Sequence, residues 1–325
     1  MQPFLYSSCK SVEQATSEYR PGSAFIAGGT NLVDLMKLEV MKPTNVLDVN
    51  QIPLKGITVQ ADGLHLGALE KMSDVAKHPA VISNYPVISQ ALLKSASAQL
   101  RNMGTMGGNL MQRTRCGYFR DVSTACNKRD PGSGCSAIPG ENRMHAIFGT
   151  SESCIATHPS DLAVALVALD SLLRLQGRQG ERVIKLADFY LLPGDTPDRE
   201  HDLRPGELIT EIIVPQSPAA RHSIYVKVRD RESYEFALTS AAVGLHLDGE
   251  IIRRAHLAVG GVGTKPWSLP KVCAALEGKP SNLSSYMEAA ALATEGAIPY
   301  KDNGFKIQLV QRTIVRALIS LKDQV

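Results

Sequence analysis

The chain has 325 residues, of which 44% are hydrophobic and 21% are charged, and its formal net charge is +3. This chain is longer than a typical domain built around one hydrophobic core, so two or three domains are expected. The nearly balanced charge gives no indication of nucleic-acid binding. Neither an N-terminal export signal nor a membrane span of roughly 18 apolar residues is recognisable. We therefore expect a cytosolic chain, unless a partner with an export signal carries it folded to another compartment.

The first third of the chain mixes strand and helix patterns. Pro and Gly residues bound its short apolar runs, as is typical of strands joined by tight turns. The predicted elements in chain order are a helix at 11–18, an apolar strand at 24–27, strands at 44–49 and 63–69, and a helix at 87–100.

A third helix is predicted at 158–176, where Pro159 and Ser160 mark the start and leucines recur at helical spacing up to Leu173. Strands dominate after residue 182, a long loop is expected at 193–205, and the chain ends with an amphipathic helix at 306–321. The predicted strands are 182–186, 207–215, 224–228, 237–247 and 253–262.

Two glycine loops are candidates for binding phosphate. In the first, FIAGGTN, an apolar strand runs into Gly28 and Gly29, where no side chain obstructs the backbone. Successive amides in such a turn form a concavity for anions. The second loop, RNMGTMGGNL at 101–110, offers similar chemistry, so the two could hold a pyrophosphate from both sides. Spacing alone leaves open that both are simply tight turns, and neither loop is GxGxxG or a Walker loop.

Four of the six cysteines lie between residues 116 and 154. In a reducing compartment such a group favours metal binding over disulfides. No pair has the short spacing of a zinc knuckle or a bacterial ferredoxin, although four thiolates suit a cubane cluster. A 4Fe-4S cluster, a structural zinc and unligated thiols therefore all remain open from spacing. The four residues are Cys116, Cys126, Cys135 and Cys154; Cys9 and Cys273 lie apart and are expected to be ordinary thiols.

The segment around the cysteines is rich in turns and basic residues. Sequences such as PGSGC and IPGEN suit a loop that folds around a metal rather than around apolar side chains. Basic neighbours would stabilise the reduced form of an anionic cluster. The basic residues are Arg113, Arg115, Arg120, Lys128, Arg129 and Arg143, against the acidic Asp121, Asp130, Glu141 and Glu152.

Taken together, AGGTNL, TMGGNL and HPSD resemble the FAD-binding subunit of the xanthine dehydrogenase and carbon monoxide dehydrogenase family. Similar segments, including VLDVNQIPLKGI, LRPGELITEIIVP and YVKVRDRESYEFALTSAAV, extend over the whole chain. In that family the second glycine loop leads within a few residues into the proline-and-aspartate segment. Here Asn109 and His158 are separated by the cysteine-bearing stretch, which therefore resembles an insertion at about 111–157.

Two branches of the family carry such an insertion with a 4Fe-4S cluster: periplasmic aldehyde oxidoreductase and 4-hydroxybenzoyl-CoA reductase. TRCGYF, CNKR, PGSGC and CIATHPSD are more similar to the former. The resemblance implies that Cys116, Cys126, Cys135 and Cys154 ligate a cluster beside the flavin. It also implies that two groups of glycine-loop residues, together with Asp161 and Lys227, contact FAD. Without the resemblance, Asp161 could be a carboxylate at a helix start and Lys227 a solvated lysine on a strand. The glycine-loop residues are Ile26, Ala27, Gly28, Gly29, Thr30, Asn31 and Leu32, with Thr105, Gly107, Gly108 and Asn109.

The fold implied by the resemblance is α+β. A two-part FAD-binding domain of the PCMH type, with mixed sheets and helices, would occupy 1–220 and carry the iron-sulfur insertion. A smaller α+β C-terminal flavoprotein domain would occupy 221–325.

The function implied is electron transfer within a molybdenum-dependent aldehyde oxidoreductase, which converts aldehydes to carboxylic acids. The molybdopterin would belong to a large partner subunit and the 2Fe-2S clusters to a small one, completing a heterotrimer with possible co-export to the periplasm. No catalytic residue is expected on this chain. Alternatives are a hydroxybenzoyl-CoA reductase subunit with reversed electron flow, a zinc-stabilised binding module without redox function, and a free-standing FAD oxidase.

Overall fold

The computed structural model describes residues 1–323, and a small parallel sheet begins the fold. Its strands are β1 (Leu5–Ser8), β2 (Ser23–Ile26) and β3 (Asn45–Asp48), with β3 paired between the other two. Helix α1 (Val12–Glu18) follows β1, and α2 (Leu32–Lys37) follows β2. Because β2 ends at Ile26, the first glycine loop emerges at the carboxyl edge of this sheet.

A five-stranded antiparallel sheet forms the centre of the first two thirds of the chain. Strands that are distant in sequence pair within it, in the order β4-β5-β8-β6-β7. These strands are β4 (Ile57–Val59), β5 (Gly63–Gly67), β6 (Leu172–Gly177), β7 (Gly180–Lys185) and β8 (Leu208–Pro215).

Short helices connect and cover this sheet, and the buried apolar residues of most of them form one large core with it. Between β5 and β6 they are α3 (Met72–Lys77), α4 (Pro79–Asn84), α5 (Pro86–Lys94), α6 (Ala98–Met103), α7 (Met106–Leu110), α8 (Gly117–Arg120) and α9 (Asp161–Ala168); α10 (Leu186–Phe189) follows β7.

The last third forms an antiparallel sheet covered by helices, with a separate core. Its strands follow one another in space as β12-β11-β10-β9. The elements are α11 (Pro218–Arg221), β9 (Ser223–Val228), β10 (Thr239–Asp248), β11 (Ile251–Gly260), β12 (Trp267–Ser268), α12 (Pro270–Leu276), α13 (Leu283–Ala291), a 3₁₀ turn (Leu292–Thr294) and α14 (Lys306–Lys322).

Helix α9 packs between helices of the first half and the C-terminal sheet, and it has no exposed face. All eight of its residues are buried, and it contacts α5 and α7 on one side and β10 and β11 on the other. The Ser160 hydroxyl caps its first turn by accepting a hydrogen bond from the Ala163 amide. The cap therefore fixes Asp161, the first residue of the helix, at the junction of the two halves.

The cysteine-bearing stretch contains little regular structure. Between residues 111 and 157, the structure has the short helix α8 and isolated bridges that pair Cys126 with Cys135 and Ser151 with Cys154. Polar side chains hold its turns: Asn127 accepts from the amides of Gly132 and Gly134, and Arg129 donates to backbone carbonyls. The expectation of a loop without a substantial core of its own is met, although Phe119 packs on Leu35 of α2.

Most predicted elements are present, but two predicted helices are wrong. The helix predicted at 87–100 breaks after α5, because Ala96 adopts a positive φ of 48° and Ser97 caps a new helix, α6. The helix predicted at 158–176 ends at Ala168, and Asp170 has a φ of 53° before β6 begins. The leucines of β6 were misinterpreted because apolar residues two apart on a strand also fit part of a helical pattern. No helix within residues 1–323 has both the length and the apolar character needed to cross a membrane.

Candidate cofactor site

The first glycine loop packs directly against the end of α6. A Cβ atom on Gly28 would lie 2.1 Å from the Met103 carbonyl oxygen, so only glycine permits this approach. Gly29 has a φ of +70°, a conformation that glycine adopts without strain. The Asn50 side chain donates to the Ala27 carbonyl at 3.0 Å and holds the loop from the other side. The backbone path of this loop is therefore fixed by protein contacts.

The polar groups of this loop are not all used by the protein. The amides of Gly29, Thr30 and Asn31 take part in none of the hydrogen bonds among residues 1–323. The Asn31 carboxamide oxygen accepts from the Arg113 amide at 3.0 Å, whereas its buried amide nitrogen Nδ2 has no partner among these residues. Buried donors normally find an acceptor. This loop thus has the donors that an anionic group such as a pyrophosphate requires.

The second glycine loop is organised differently from the prediction. Thr105 caps α7 by accepting from the Gly108 amide at 3.1 Å, and the Gly107 amide donates to the Ala68 carbonyl at 2.8 Å. These amides are therefore engaged within the protein rather than free for an anion. Gly107 lies close to Ala68, since an added Cβ would be 3.1 Å from the Ala68 Cβ. The loop contributes space and the Thr105 side chain rather than a second set of amides.

Both loops line one cavity of about 620 Å³, a volume in the range of cofactor and ligand sites. Most residues of the segment 198–209 also line it. Asn109 is not among the lining residues; its carboxamide oxygen accepts from the Ser160 hydroxyl at 2.5 Å and links α7 to the start of α9. The predicted residues on the cavity are Ile26, Ala27, Gly28, Gly29, Thr30, Asn31, Leu32, Thr105, Gly107 and Gly108.

Glu200 lies on the wall of this cavity and was not found from the sequence. It forms ion pairs with Arg113 at 2.5 Å and Lys128 at 3.0 Å. Burial alone would raise its pKa, but Lys128 and Arg113 outweigh burial and lower the pKa to about 2. A glutamate within a predicted loop carries no signal of such pairing, because both partners are remote in sequence.

Asp161 and Lys227 form a buried ion pair, with Nζ of Lys227 2.7 Å from Oδ2 of Asp161. The Tyr225 hydroxyl donates to the other carboxylate oxygen at 2.7 Å, and Lys227 also donates to the Lys94 carbonyl. Burial raises the pKa of Asp161, while Lys227 and Tyr225 oppose that rise. Lys227 is therefore no solvated strand lysine, and it lines neither large cavity among the described residues.

Asp161 lines a second cavity of about 630 Å³, between the cysteine-bearing stretch and the C-terminal sheet. His145 also lines it, with Nε2 3.2 Å from the Cys116 sulfur. Burial lowers the His145 pKa to about 4, so the ring is neutral at pH 7. Sequence reasoning missed His145, since it lies in no recognisable motif. Other lining residues include Arg115, Tyr118, Arg143, His158, Ser160 and Phe236.

All four inserted cysteines line one small cavity of about 10 Å³. Cys126 and Cys154 are buried, Cys116 and Cys135 half-buried, and all four are free thiols. No carboxylate lines this cavity, so the donor set is that of a soft, thiolate-bound metal centre. Within residues 1–323, no three His, Cys, Asp or Glu side chains form a group that could hold a metal ion.

The surroundings of the cysteines favour thiolates only in part. Burial raises the pKa of Cys116 to about 12, although the Tyr118 and Phe119 amides directed at its sulfur act against this rise. The Ala156 amide donates to the Cys154 sulfur at 3.5 Å. A buried thiol of this kind ionises when a metal supplies the compensating positive charge.

Most of the predicted basic neighbours do not line the cysteine cavity. Arg115 and Arg120 pair with Asp34, and Arg143 pairs with Asp230. Of the six basic residues near the cysteines in sequence, Lys128 lines the cavity. The expected basic environment therefore reduces to Lys128 and backbone amides.

Comparison with known proteins assigns the chain to a family. Residues 2–217 match the profile described as the FAD binding domain in molybdopterin dehydrogenase, and residues 224–321 match the CO dehydrogenase flavoprotein C-terminal domain. The aldehyde oxidoreductase FAD-binding subunit PaoB of Escherichia coli is 46% identical over 328 residues, covering 100% of both chains. The glyceraldehyde dehydrogenase medium chain of Sulfolobus acidocaldarius is 28% identical and covers 92% of this chain and 90% of its own.

Solved structures support the fold. Carbon monoxide dehydrogenase from Hydrogenophaga pseudoflava matches with a TM-score of 0.77 at 23% identity, covering 99% of this chain and 98% of that one. Quinoline 2-oxidoreductase from Pseudomonas putida 86 matches with a TM-score of 0.75 at 21% identity, with coverage of 99% and 98%. The predicted α+β architecture is confirmed. The chain belongs to the FAD-binding medium subunits of the molybdenum hydroxylase family and is a subunit of an oxidoreductase.

Proposed function

We propose that this chain is the FAD- and 4Fe-4S-containing electron-transfer subunit of a molybdenum-dependent aldehyde oxidoreductase. The observation that carries the proposal is the convergence of four cysteines on one cavity, close to the larger cavity lined by both glycine loops. The 46% identity to an E. coli subunit named for aldehyde oxidoreductase supports the substrate class.

The first glycine loop would hold the pyrophosphate of FAD. Its unpaired amides and the Asn31 carboxamide nitrogen are the donors available at the 620 Å³ cavity. Ile26, Ala27 and Leu32 would shape the wall, while Thr105, Gly107 and Gly108 would border the cofactor from the second loop. Asn109 would act by holding Ser160, which caps the helix of Asp161.

Asp161 and Lys227 would act toward FAD as a pair where the cofactor extends from the 620 Å³ cavity into the 630 Å³ cavity that Asp161 lines. Lys227 fixes the orientation of the Asp161 carboxylate, because the two are joined by a buried hydrogen bond of 2.7 Å. The Lys227 charge would favour added negative charge on a nearby flavin. Its burial implies that Lys227 acts mainly through its field and through Asp161.

Cys116, Cys126, Cys135 and Cys154 would ligate the cluster. Four cysteines around one cavity supply the four thiolates that a cubane cluster requires. Hydrogen bonds from Ala156 and His145 to the sulfurs would stabilise its reduced form.

The bound FAD and 4Fe-4S cluster would supply electron transfer, and this chain would bind and position them. Aldehyde oxidation to a carboxylic acid would take place on a large molybdenum-cofactor subunit, and a small subunit with 2Fe-2S clusters would complete a heterotrimer. An external acceptor would receive the electrons at FAD. We further propose a division into domains at 1–220 and 221–325 and a periplasmic location reached by co-export.

Anaerobic purification followed by iron, sulfide, zinc and flavin assays tests the proposal. We expect about four irons, four sulfides and one FAD per chain, with a visible spectrum that bleaches with dithionite. Cys126→Ser should lose the cluster absorption, whereas the matched control Cys273→Ser, outside the cysteine group, should keep it. Zinc without flavin, or iron that is unaffected by Cys126→Ser, would contradict the assignment.

A further inference from the structure

Arg113 lies between the 620 Å³ cavity proposed to bind FAD, here called the flavin cavity, and the small cavity lined by the four cysteines, here called the cysteine cavity. It follows the last residue of the second glycine loop, Leu110, by three residues and precedes Cys116 by three. Its side chain is 19% exposed, and its contacts reach both sites.

On the flavin side, Arg113 supports the loop that has the free donors. Its backbone amide donates to the Asn31 carboxamide oxygen at 3.0 Å, and this bond directs Nδ2 of Asn31 away from Arg113. Its guanidinium Nε pairs with Glu200 at 2.5 Å, and both residues line the 620 Å³ cavity. Movement of Arg113 would therefore displace two parts of that cavity wall.

On the cysteine side, the same guanidinium contacts two residues of the cysteine cavity. It stacks over the Phe119 ring at 4.7 Å from the centroid and donates to the Lys128 carbonyl at 3.3 Å. Lys128 in turn pairs with Glu200 at 3.0 Å. Phe119 and Lys128 both line the cavity of the four thiols. These contacts close a ring in which Arg113, Lys128 and Glu200 connect the two sites.

We propose that Arg113 is a positioning residue that couples cluster insertion to FAD binding. The proposal rests on the proposed function, since it requires that both groups bind. When the four thiolates close around iron, Phe119 and Lys128 become fixed, and through Arg113 they fix Asn31 and Glu200 at the flavin cavity. The coupling is reciprocal: each group raises the affinity for the other by the same factor.

Flavin affinity in the presence and absence of the cluster tests this coupling. The full-length chain is stripped of FAD and divided, and iron is removed from one half with a chelator. FAD binding is then titrated by flavin fluorescence in both halves. We expect the cluster-free wild-type chain to bind FAD about 10-fold more weakly than the cluster-loaded chain, within the range usual for coupled sites.

Arg113→Met should reduce this ratio to within about two-fold of unity, because both the ion pair and the contact with the Lys128 carbonyl are lost. Arg113→Lys keeps the charge but not the planar fork, so its ratio should be intermediate and gives a second variant if Arg113→Met folds poorly. The matched control is Arg253→Met, an exposed arginine that pairs with Asp248 in the C-terminal half and should keep the wild-type ratio.

Equal FAD affinity of the wild-type chain with and without its cluster would overturn the inference. A wild-type ratio in Arg113→Met would overturn it too, since the coupling would then run through other contacts. The absence of either FAD or iron from every preparation would instead refute the proposed function, and the two failures are thereby distinguished.

Discussion

Replacing Lys227 by Met tests the energetics of the buried pair with Asp161. The Lys227 side chain is 1% exposed and that of Asp161 6%, so the substitution leaves a carboxylate in a site with little access to water. Tyr225 would remain its hydrogen-bond donor. Breaking a buried pair in this way typically destabilises a protein by about 3–5 kcal/mol.

The pH sets a ceiling on that loss, because the carboxyl can take up a proton instead. Each pH unit above the unfolded-state pKa of about 3.9 makes protonation about 1.4 kcal/mol more costly, which gives about 4 kcal/mol at pH 7 and about 1.5 kcal/mol at pH 5. Burial already raises the pKa of Asp161 in the native chain, and losing Lys227 raises it further. A carboxyl whose pKa is higher in the folded state than in the unfolded state makes folding less favourable as pH rises above the unfolded-state pKa. The deficit in the free energy of unfolding of the variant therefore grows as pH increases.

Urea unfolding of the FAD-loaded chain at the two pH values measures this loss. The single tryptophan, Trp267, stacks on Phe148 with ring centroids 5.3 Å apart and reports unfolding by fluorescence. The double variant Asp161→Leu with Lys227→Met removes both charges and should recover most of the stability. A deficit below about 1 kcal/mol at pH 7, or one that does not change with pH, would refute the reasoning.

Three further predictions concern the site and its supports. Gly28→Ala places a Cβ 2.1 Å from the Met103 carbonyl oxygen, and the resulting strain in the glycine loop should amount to about 1–3 kcal/mol. This strain should appear as weaker FAD binding in a fluorescence titration. The control is Gly304→Ala, whose Cβ would meet nothing closer than 3.8 Å and which should bind FAD normally. His145→Phe removes the ring nitrogen Nε2 that lies 3.2 Å from the Cys116 sulfur and would donate to a cluster-bound thiolate there, so the midpoint potential of the cluster should fall in a redox titration. An unchanged potential would exclude this hydrogen bond. Ala96 has a positive φ of 48°, so Ala96→Gly should remove backbone strain and raise the free energy of unfolding by about 1 kcal/mol. A lower free energy of unfolding in the variant would count against backbone strain at this turn.

The sequence predicted the parts of the site that depend on local chemistry. Glycine at position 28 and the strand before it follow from local pattern, as does the Ser160 cap of α9. The convergence of the four cysteines was expected only from resemblance, since a gap of eighteen residues between Cys135 and Cys154 specifies no geometry.

Contacts between remote segments were not predictable. Glu200 pairs with Lys128 across 72 residues, and His145 reaches the Cys116 sulfur from 29 residues away. The use of the second loop's amides by Ala68 and Thr105 was also hidden, because a GG pair looks the same whether its amides are free or bonded. Tertiary packing decides each of these features.

Hydrogen bonds to backbone carbonyls hold the turns of the cysteine-bearing stretch, and they determine how its local unfolding depends on temperature. Asn142 donates to the carbonyls of Ala137, Ile138 and Gly140, as Arg129 does to those of Tyr118 and Phe119. Exposure of polar groups lowers the heat capacity of unfolding, whereas exposure of apolar groups raises it. Local opening confined to residues 121–142, which bury no large apolar side chain, should therefore carry an almost flat heat-capacity signature in calorimetry. Cooling, which weakens the apolar cores of the two larger sheets, would leave these turns nearly unchanged, whereas it would loosen Ile147 and Phe148, which belong to the C-terminal core.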